Sequence, residues 1–223
     1  MTARNASVDA LLARVRDAVR AQPVTVREVP SHAVVRRVAR DAANLAELFA
    51  ARAAAVGMRV TRVDAAEGDA GLDAALAALL AKHAPPDTAA HARIIVAVRD
   101  AALAARATAA AAERLAPNDN DDVLFDCAIG ITDVDCAIAE SGSLVISTHD
   151  RIRNAWITPP IHVAIVRAEQ VLADLVDLFE LRPDAIDAAS TTIITGPSKT
   201  ADIEGVLVTG VHGPAAVEIL LVG

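Results

Sequence analysis

The sequence is poor in cysteine and in aromatic side chains. Its 223 residues include two cysteines, Cys127 and Cys136, one tryptophan, three phenylalanines and no tyrosine. Two cysteines are too few to hold an iron-sulfur cluster or a cysteine-rich zinc site, so we expect no metal ligands here. We predict that both are reduced, buried thiols without a functional role. Any redox chemistry therefore requires an electron carrier that the chain itself does not supply.

The chain also lacks a long apolar run and an excess of positive charge. No run approaches the roughly 18 apolar residues of a membrane span. Charged residues interrupt the first twenty positions, where a signal peptide would need an unbroken apolar stretch. A net charge of -8 and a pI near 5.2 repel phosphate backbones and anionic lipid. We therefore expect a cytoplasmic protein with no nucleic-acid partner and no membrane span.

Small aliphatic side chains are abundant in the sequence. The composition is 54% hydrophobic but only 2% aromatic, so alanine, valine, leucine and isoleucine must fill the core. Such a core suits helices packed closely on strands. The length lies near the upper end for one domain. We predict a helical appendage over residues 1–30 and one domain over residues 31–223.

The N-terminal appendage carries apolar residues at helical spacing. The spacing predicts an amphipathic helix that ends near Pro23. Its apolar residues are Val8, Leu11, Leu12, Val15 and Val19. This apolar stripe has to cover either the domain or a partner.

From residue 31 onward, helical and strand patterns alternate. Helices are predicted from Ser31 to Gly57 and over Leu72–Lys82, Ala101–Leu115 and Ala168–Phe179. Strands are predicted over Met58–Val63, Arg93–Val98, Cys127–Thr132, Cys136–Ala139, Ser143–Thr148, Ile161–Val166, Thr191–Thr195 and Ala216–Val222. This alternation predicts an α/β fold with an open, mostly parallel sheet and helices on both faces.

Three segments join a strand end to a glycine and then to hydroxyl or charged side chains. They are Ala139–Ser143, Thr195–Glu204 and Gly210–Pro214. Ligands of open α/β sheets bind at the carboxyl ends of strands, where loops present backbone N–H groups. We expect these segments to converge on one small anionic metabolite or nucleotide. The expected ligand-binding residues are Ser141, Gly142, Ser143, Gly196, Ser198, Lys199, Thr200, Asp202, Gly210 and Gly213.

The second segment fits an anion site best. Because glycine has no side chain, a ligand can come close to the backbone at Gly196. Ser198 and Thr200 supply hydroxyl groups, and Lys199 supplies a positive charge. A P-loop is excluded because Ser198, and not glycine, precedes Lys199. Alternatively, Ser198 or Thr200 caps a short helix whose first turn Asp202 favours. Both interpretations can hold together.

Two residues are candidates for a catalytic role, Glu140 and His212. His212 stands between two glycines on a tight turn, where a core histidine is rarely found. Glu140 could act as a nucleophile or general base if burial raises its pKa. It could equally accept hydrogen bonds from loop amides and fix the turn. Arg151 and Arg153 could reach the anion, although solvated surface positions are the commoner role for such arginines.

These segments, in this order and together with Thr132-Asp133, resemble the lactate utilization protein C family, whose shared module is the LUD domain. The resemblance covers the last hundred residues strongly and the first half only in general layout. Family members usually carry threonine in the Glu-x-Gly-x turn, where this chain has Ser141 and Ser143.

The resemblance implies a fold similar to the NagB/RpiA/CoA-transferase group. It also implies a place in a three-protein system that oxidises L-lactate to pyruvate. In that system the iron-sulfur lactate utilization proteins are partners that carry the electrons, and this chain has no intrinsic cofactor. The resemblance leaves the chemistry of this subunit open.

Three function classes follow. The first is a subunit of an L-lactate-oxidising oxidoreductase complex whose glycine-rich site binds a small anion. The second is a stand-alone transferase similar to CoA transferases, in which Glu140 attacks an acyl group. The third is a non-catalytic assembly or regulatory module whose N-terminal helix docks a partner. We favour the first because it follows from the three segments, whereas the second depends on fold analogy and one carboxylate.

Overall fold

The computed structural model describes residues 3–21, 37–40, 44–64, 66, 68–83, 92–116, 123, 125–149, 152–201 and 205–223. The chain divides into two compact units, Met1–Arg36 and Arg37–Gly223. Helix α1 (Ala3–Ala21) lies in the first unit and confirms the predicted N-terminal helix. None of the helices in these ranges has the length and apolar character needed to cross a bilayer.

The second unit alternates strands and helices along the chain. Its described helices are α2 (Leu45–Ala55), α3 (Gly68–His83), α4 (Ala101–Ala111), α5 (Asn154–Ile157), α6 (Leu175–Leu181) and α7 (Pro183–Ile186). Its described strands are β1 (Arg59–Val63), β2 (Arg93–Ala97), β3 (Cys127–Asp133), β4 (Cys136–Ile138), β5 (Ser143–Ser147), β6 (Ile161–Arg167), β7 (Val171–Leu172), β8 (Thr191–Ile194), β9 (Lys199–Thr200), β10 (Val208–Thr209) and β11 (Ala216–Val222).

The central sheet has five strands in the order β1-β11-β6-β3-β2, and every neighbouring pair is parallel. This arrangement confirms the predicted α/β fold with an open parallel sheet. Parallel strands need crossover connections, which is why helices separate most of them along the chain.

Side chains alternate between the two faces of the central sheet. On β6, Val163 and Ile165 pack with helices α3 and α4, whereas Ala164 and Val166 face α2 and α5. Both faces are apolar because a parallel sheet is covered on both sides. Aliphatic side chains fill the core as predicted, and Trp156 is the buried aromatic of α5.

A second sheet, which the sequence patterns did not predict as a separate layer, packs on the α2 side. Its strand order is β7-β4-β5-β8, in which β5 is antiparallel to both β4 and β8, and β7 is parallel to β4. Helices α6 and α7 cover its outer face through Leu178 and Ala185. Strands β9 and β10 form a separate antiparallel ribbon.

The predicted start of the second helix is wrong. Helix α2 begins at Leu45, and residues 37–39 are not helical. The Arg37 guanidinium donates to Asp174 at 2.6 Å, and the backbone N–H of Val38 donates to the same carboxylate at 3.1 Å. These contacts tie the segment to the start of α6. Residues 31–36 lie outside the described residues.

The predicted helix over Ala168–Phe179 is also wrong in its first half. A 3₁₀ turn over Ala168–Gln170 leads into strand β7, and helix α6 begins only at Leu175. Asp174 caps α6 by accepting from the N–H groups of Val176 and Asp177. The apolar residues before this cap pair with β4 instead of continuing a helix.

Candidate functional site

The first predicted segment forms the turn between β4 and β5. The Ser141 and Ser143 hydroxyls lie 2.7 Å apart, and Ser143 also lies 2.7 Å from the Thr195 hydroxyl at the end of β8. This chain of hydroxyls connects the first segment to the second. Ser143 is buried, whereas the Glu140 side chain is exposed. The turn therefore does not give Glu140 the burial on which its predicted activation depends.

Glycine in this turn is required by close packing on helix α2. Gly142 has a φ of 68°, and a Cβ there would lie 2.2 Å from the backbone nitrogen of Ala53. No side chain fits at that distance, and the positive φ also favours glycine. Gly142 thus lets the turn contact the helix backbone.

The second segment follows β8 and packs on the end of the same helix. Gly196 has a φ of 111°, and a Cβ there would lie 2.7 Å from the Val56 carbonyl oxygen. The Pro197 ring would lie 3.6 Å from a Cβ at Gly57. Helix α2 therefore fixes the positions of both the Glu140 turn and the Gly196 loop.

The second and third segments are joined by backbone hydrogen bonds. The Ser198 N–H donates to the Pro214 carbonyl at 2.8 Å, and the Gly210 N–H donates to the Ser198 carbonyl at 2.9 Å. A Cβ at Gly213 would lie 3.3 Å from the Ser198 hydroxyl oxygen. Two segments that are distant in sequence thus meet around Ser198.

A cavity of about 240 Å³ lies where these two segments meet. Four of the predicted site residues line it, namely Gly196, Ser198, His212 and Gly213. The rest of its described wall consists of Trp156, Ile157, Thr192, Ile193, Ile194, Thr195, Pro214 and Val217. No acidic side chain belongs to this described lining, although the chain as a whole carries a net charge of -8.

The other predicted site residues do not line the cavity in the described part of the chain. Glu140, Ser141, Gly142 and Ser143 lie in the turn behind Thr195. Lys199 and Thr200 form β9, where the Lys199 side chain is exposed, and Gly210 ends the ribbon. Asp202 lies outside the described residues, as does Arg151, while Arg153 is exposed.

Several donors of the cavity lining have no hydrogen-bond partner in the part of the chain that the structure describes. The backbone N–H groups of Gly196 and Gly213 form no hydrogen bond to another described residue, and neither do the side chains of Ser198 and His212. Gly196, Ser198 and Gly213 are half-buried and His212 is exposed, so their donors are accessible to a ligand or to water. The arrangement can bind a small molecule that offers hydrogen-bond acceptors.

The cavity lies at the opposite end of the central sheet from the one expected. Pro214 precedes β11 and Ile157 precedes β6, so the cavity opens near the amino ends of these parallel strands. The second segment does follow a strand, but that strand is β8 of the second sheet. The expectation that this loop belongs to the carboxyl edge of the main sheet is therefore wrong.

The carboxyl edge of the central sheet carries a charged network, of which the sequence patterns singled out only Asp133. Asp133 accepts from the backbone N–H groups of Arg99 and Asp100 at 3.1 and 3.2 Å. Asp135 accepts from the Arg99 guanidinium at 2.8 Å, and Arg167 donates to Asp100 at 2.7 Å. The Leu103 N–H and the Arg167 guanidinium lower the pKa of Asp100.

Two buried polar atoms have no partner among the described residues, Nε1 of Trp156, which lines the cavity, and Nδ1 of His162. His162 stands opposite Val217 in the sheet, and its Nε2 lies 2.8 Å from the Thr132 hydroxyl. Burial lowers the pKa of His162 to about 3, so the ring is neutral at physiological pH. Only long-range packing creates this environment, which is why spacing alone could not reveal it.

The two cysteines are free and buried, as predicted. Cys127 begins β3 in the central sheet, whereas Cys136 begins β4 in the second sheet. Burial raises the pKa of the Cys136 thiol to about 12. Such a thiol is a poor nucleophile because the thiolate is the reactive form.

The chain is similar to proteins with a recognised domain. A family model described as the LUD domain matches residues 32–222. A lactate utilization protein C from Bacillus subtilis is 35% identical over 100 residues, covering 42% of each protein. One from Deinococcus radiodurans is 32% identical over 106 residues, covering 46% of this chain and 47% of that protein. The chain thus spans about half the length of the relatives it matches.

A solved structure supports the fold. The crystal structure of a DUF162 family protein from Deinococcus radiodurans matches with a TM-score of 0.59 and 21% sequence identity. The match covers 81% of this chain and 98% of that chain. The parallel sheet with its surrounding helices is therefore an architecture that a related protein is known to adopt.

Proposed function

The chain belongs to the LUD domain family, and from that membership we propose that it acts in lactate utilization, the process for which its matched relatives are named. In this proposal it is a subunit of a system that oxidises L-lactate to pyruvate. The oxidation of L-lactate to pyruvate releases two electrons and two protons, and the electrons pass to iron-sulfur partner proteins. This chain contributes a binding site for a small anionic metabolite or nucleotide.

The cavity between the Gly196 and Gly213 loops is the observation that supports this site. Its wall combines unpartnered N–H groups with the Ser198 hydroxyl and the His212 imidazole. The absence of carboxylates from its described lining removes the main source of repulsion toward an anion. Lys199 directly follows Ser198 in the sequence and adds positive charge next to a residue of the lining.

The acyl-transferase alternative receives no comparable support. Glu140 is exposed and stands outside the described lining of the cavity. A covalent adduct on Glu140, trapped with an acyl-CoA and located by mass spectrometry, would revive that alternative.

A thermal-shift screen of the full chain tests the binding site. The ligands are L-lactate, pyruvate, CoA, sugar phosphates and adenine nucleotides. At a concentration 100 times its Kd, a ligand that binds only the folded state adds about 2.7 kcal/mol and raises the Tm by roughly 5 to 10 °C. We expect one anion in this set to do so.

Matched histidine variants assign the binding to the cavity. His212→Ala should abolish most of the shift, because the imidazole lines the cavity. His149→Ala is the control, since its ring contacts the Asp184 carbonyl on another part of the surface. Equal shifts in both variants would remove the cavity from the proposal.

A complementation experiment tests the role in lactate utilization. Deletion of the chain should stop growth on L-lactate and lactate-dependent electron transfer to the iron-sulfur partners. Expression of the unaltered chain or the His149→Ala variant should restore both. If the His212→Ala variant restores them equally well, the chain is an assembly module and its cavity is not part of the reaction.

A further inference from the structure

Helix α1 exposes an apolar face between Val8 and Val19. Its five large apolar side chains are between 45% and 64% exposed, with Leu12 the least and Val19 the most exposed. Isolated helices of this length are marginally stable in water unless an apolar face is buried. The helix therefore requires a partner surface for its stability.

The spacing on this face is that of a coiled-coil seam. Val8, Leu12, Val15 and Val19 are separated by four, three and four residues, which is the alternation of a and d positions in a heptad repeat. Leu11 lies beside the seam and widens it. A narrow seam of this kind fits another helix better than it fits a broad sheet surface.

The charges beside the seam favour a second copy of the same helix. Asp9 and Arg16 occupy equivalent flanking positions, each directly after a d residue. When two α1 helices run antiparallel, Asp9 of each faces Arg16 of the other, so the pair forms twice about the two-fold axis. In the same register Leu12 packs against Val15 of the second copy, and Val8 against Val19.

We propose that α1 pairs with α1 of a second copy in an antiparallel two-helix coiled coil, which makes the chain a dimer. A membrane surface fits less well. The helix has no aromatic side chain, its described polar face mixes Asp17 with Arg14 and Arg20, and the chain is negatively charged overall. The coiled coil does not depend on the function proposed for the cavity.

Sedimentation of the full chain over a range of concentrations tests the dimer. We expect a monomer–dimer equilibrium that Leu12→Glu abolishes, because the substitution buries a charge in the seam. Ala13→Glu is the matched control, since it introduces the same charge at the neighbouring position outside the seam. A chain that stays monomeric at all concentrations, or a dimer that survives Leu12→Glu, overturns the proposal.

Charge reversal tests the pairing across the seam. Asp9→Arg or Arg16→Asp alone places like charges opposite each other twice, so the dimer should weaken roughly tenfold. The double variant restores opposite charges and should recover most of the affinity. Additive weakening in the double variant would overturn the Asp9–Arg16 pairing.

Cysteine crosslinking fixes the orientation of the helices. A mixture of Leu12→Cys and Val15→Cys chains should form a mixed disulfide, because these positions face each other in the antiparallel arrangement. Leu12→Cys alone should crosslink poorly. Efficient crosslinking of Leu12→Cys to itself would show parallel helices and overturn the proposed arrangement.

Discussion

The two ends of the five-stranded parallel sheet are built from different chemistry. At the carboxyl end, Asp100, Asp133 and Asp135 are held by arginines and backbone N–H groups. At the amino end, the Ser198 hydroxyl and the His212 imidazole line a cavity and have no hydrogen-bond partner among the described residues. The difference teaches that charge density alone does not mark a binding site. The paired charges stabilise the fold, whereas the unpaired donors are free to bind.

The largest expected difference between the two ends of the sheet is in how a fall in pH changes the free energy of unfolding. His162 stands opposite Val217, a residue of the cavity lining, and burial lowers its pKa from about 6.5 in the unfolded chain to about 3 in the fold. Protonation therefore favours the unfolded state, so stability is complete above pH 6.5 and decreases as the pH falls toward 3. At 1.36 kcal/mol per pKa unit, the full loss is about 5 kcal/mol. Asp100, at the other end, has a lowered pKa and loses its contribution only below the ordinary value of 3.8.

Urea unfolding at pH 7, 5.5 and 4.5 measures the His162 effect. His162→Gln should flatten the loss of stability over this range, while His149→Gln should leave it unchanged. A wild-type slope that persists in His162→Gln would assign the acid sensitivity to other groups.

Removing a carboxylate from the paired end should give the next largest effect. The Asp135 side chain is fully buried, bonds to Arg99 at 2.8 Å and accepts from the Ser147 N–H at 2.5 Å. Asp135→Ala leaves these donors without this acceptor, and we expect a cost of about 3 kcal/mol, the lower end of the range for a buried pair, because the Arg99 side chain is itself 39% exposed. Asp184→Ala removes an exposed partner of Arg182 and should cost less than about 1 kcal/mol. Similar losses in both variants would contradict the structural role of the paired end.

Glycine substitutions separate close packing from backbone conformation on the cavity side. Gly142→Ala forces a methyl group to within 2.2 Å of the Ala53 nitrogen. We expect a loss of about 3 kcal/mol, combining overpacking with the positive φ. Gly205 also has a positive φ, at 70°, but nothing lies within 4 Å of its Cβ position, so Gly205→Ala should cost only about 1 kcal/mol. Equal losses would show that conformation alone requires these glycines.

The smallest effect on stability is expected inside the cavity. Gly213→Ala would bring a methyl group to 3.3 Å from the Ser198 hydroxyl, a tight contact that a small shift relieves. We expect a cost below about 1 kcal/mol in urea unfolding. Ligand binding in the thermal-shift screen should nevertheless weaken, because the methyl group occupies the donor-lined wall. Unchanged binding would show that this part of the wall does not contact the ligand.

The sequence predicted the central sheet well because its strands are apolar runs with clear ends. The predicted Ile161–Val166 and Ala216–Val222 runs match β6 and β11 to within one residue. The error at Ala168–Phe179 arose where helical spacing was visible in the sequence but the pairing of β7 with β4 was not. The cap at Asp174 was a local signal that could have corrected this boundary.

The candidate site was only partly predictable. Glycine and hydroxyl spacing identified Gly196, Ser198, His212 and Gly213, which the structure brings to one cavity. The same signal included Gly142, whose conformation is required by packing on α2. Ile157 and Val217 could not be foreseen, because an apolar wall residue has no local signature and its position depends on contacts distant in sequence.

Helix α2 contacts both the turn between β4 and β5 and the loop after β8. Ala53 meets the turn before β5, and Val56, less than one helical turn further on, meets the loop after β8. A small rotation or slide of α2 would displace both loops at once and change the shape of the cavity without any substitution in its lining. A molecule that binds against the outer surface of α2 could therefore tune the site from a distance.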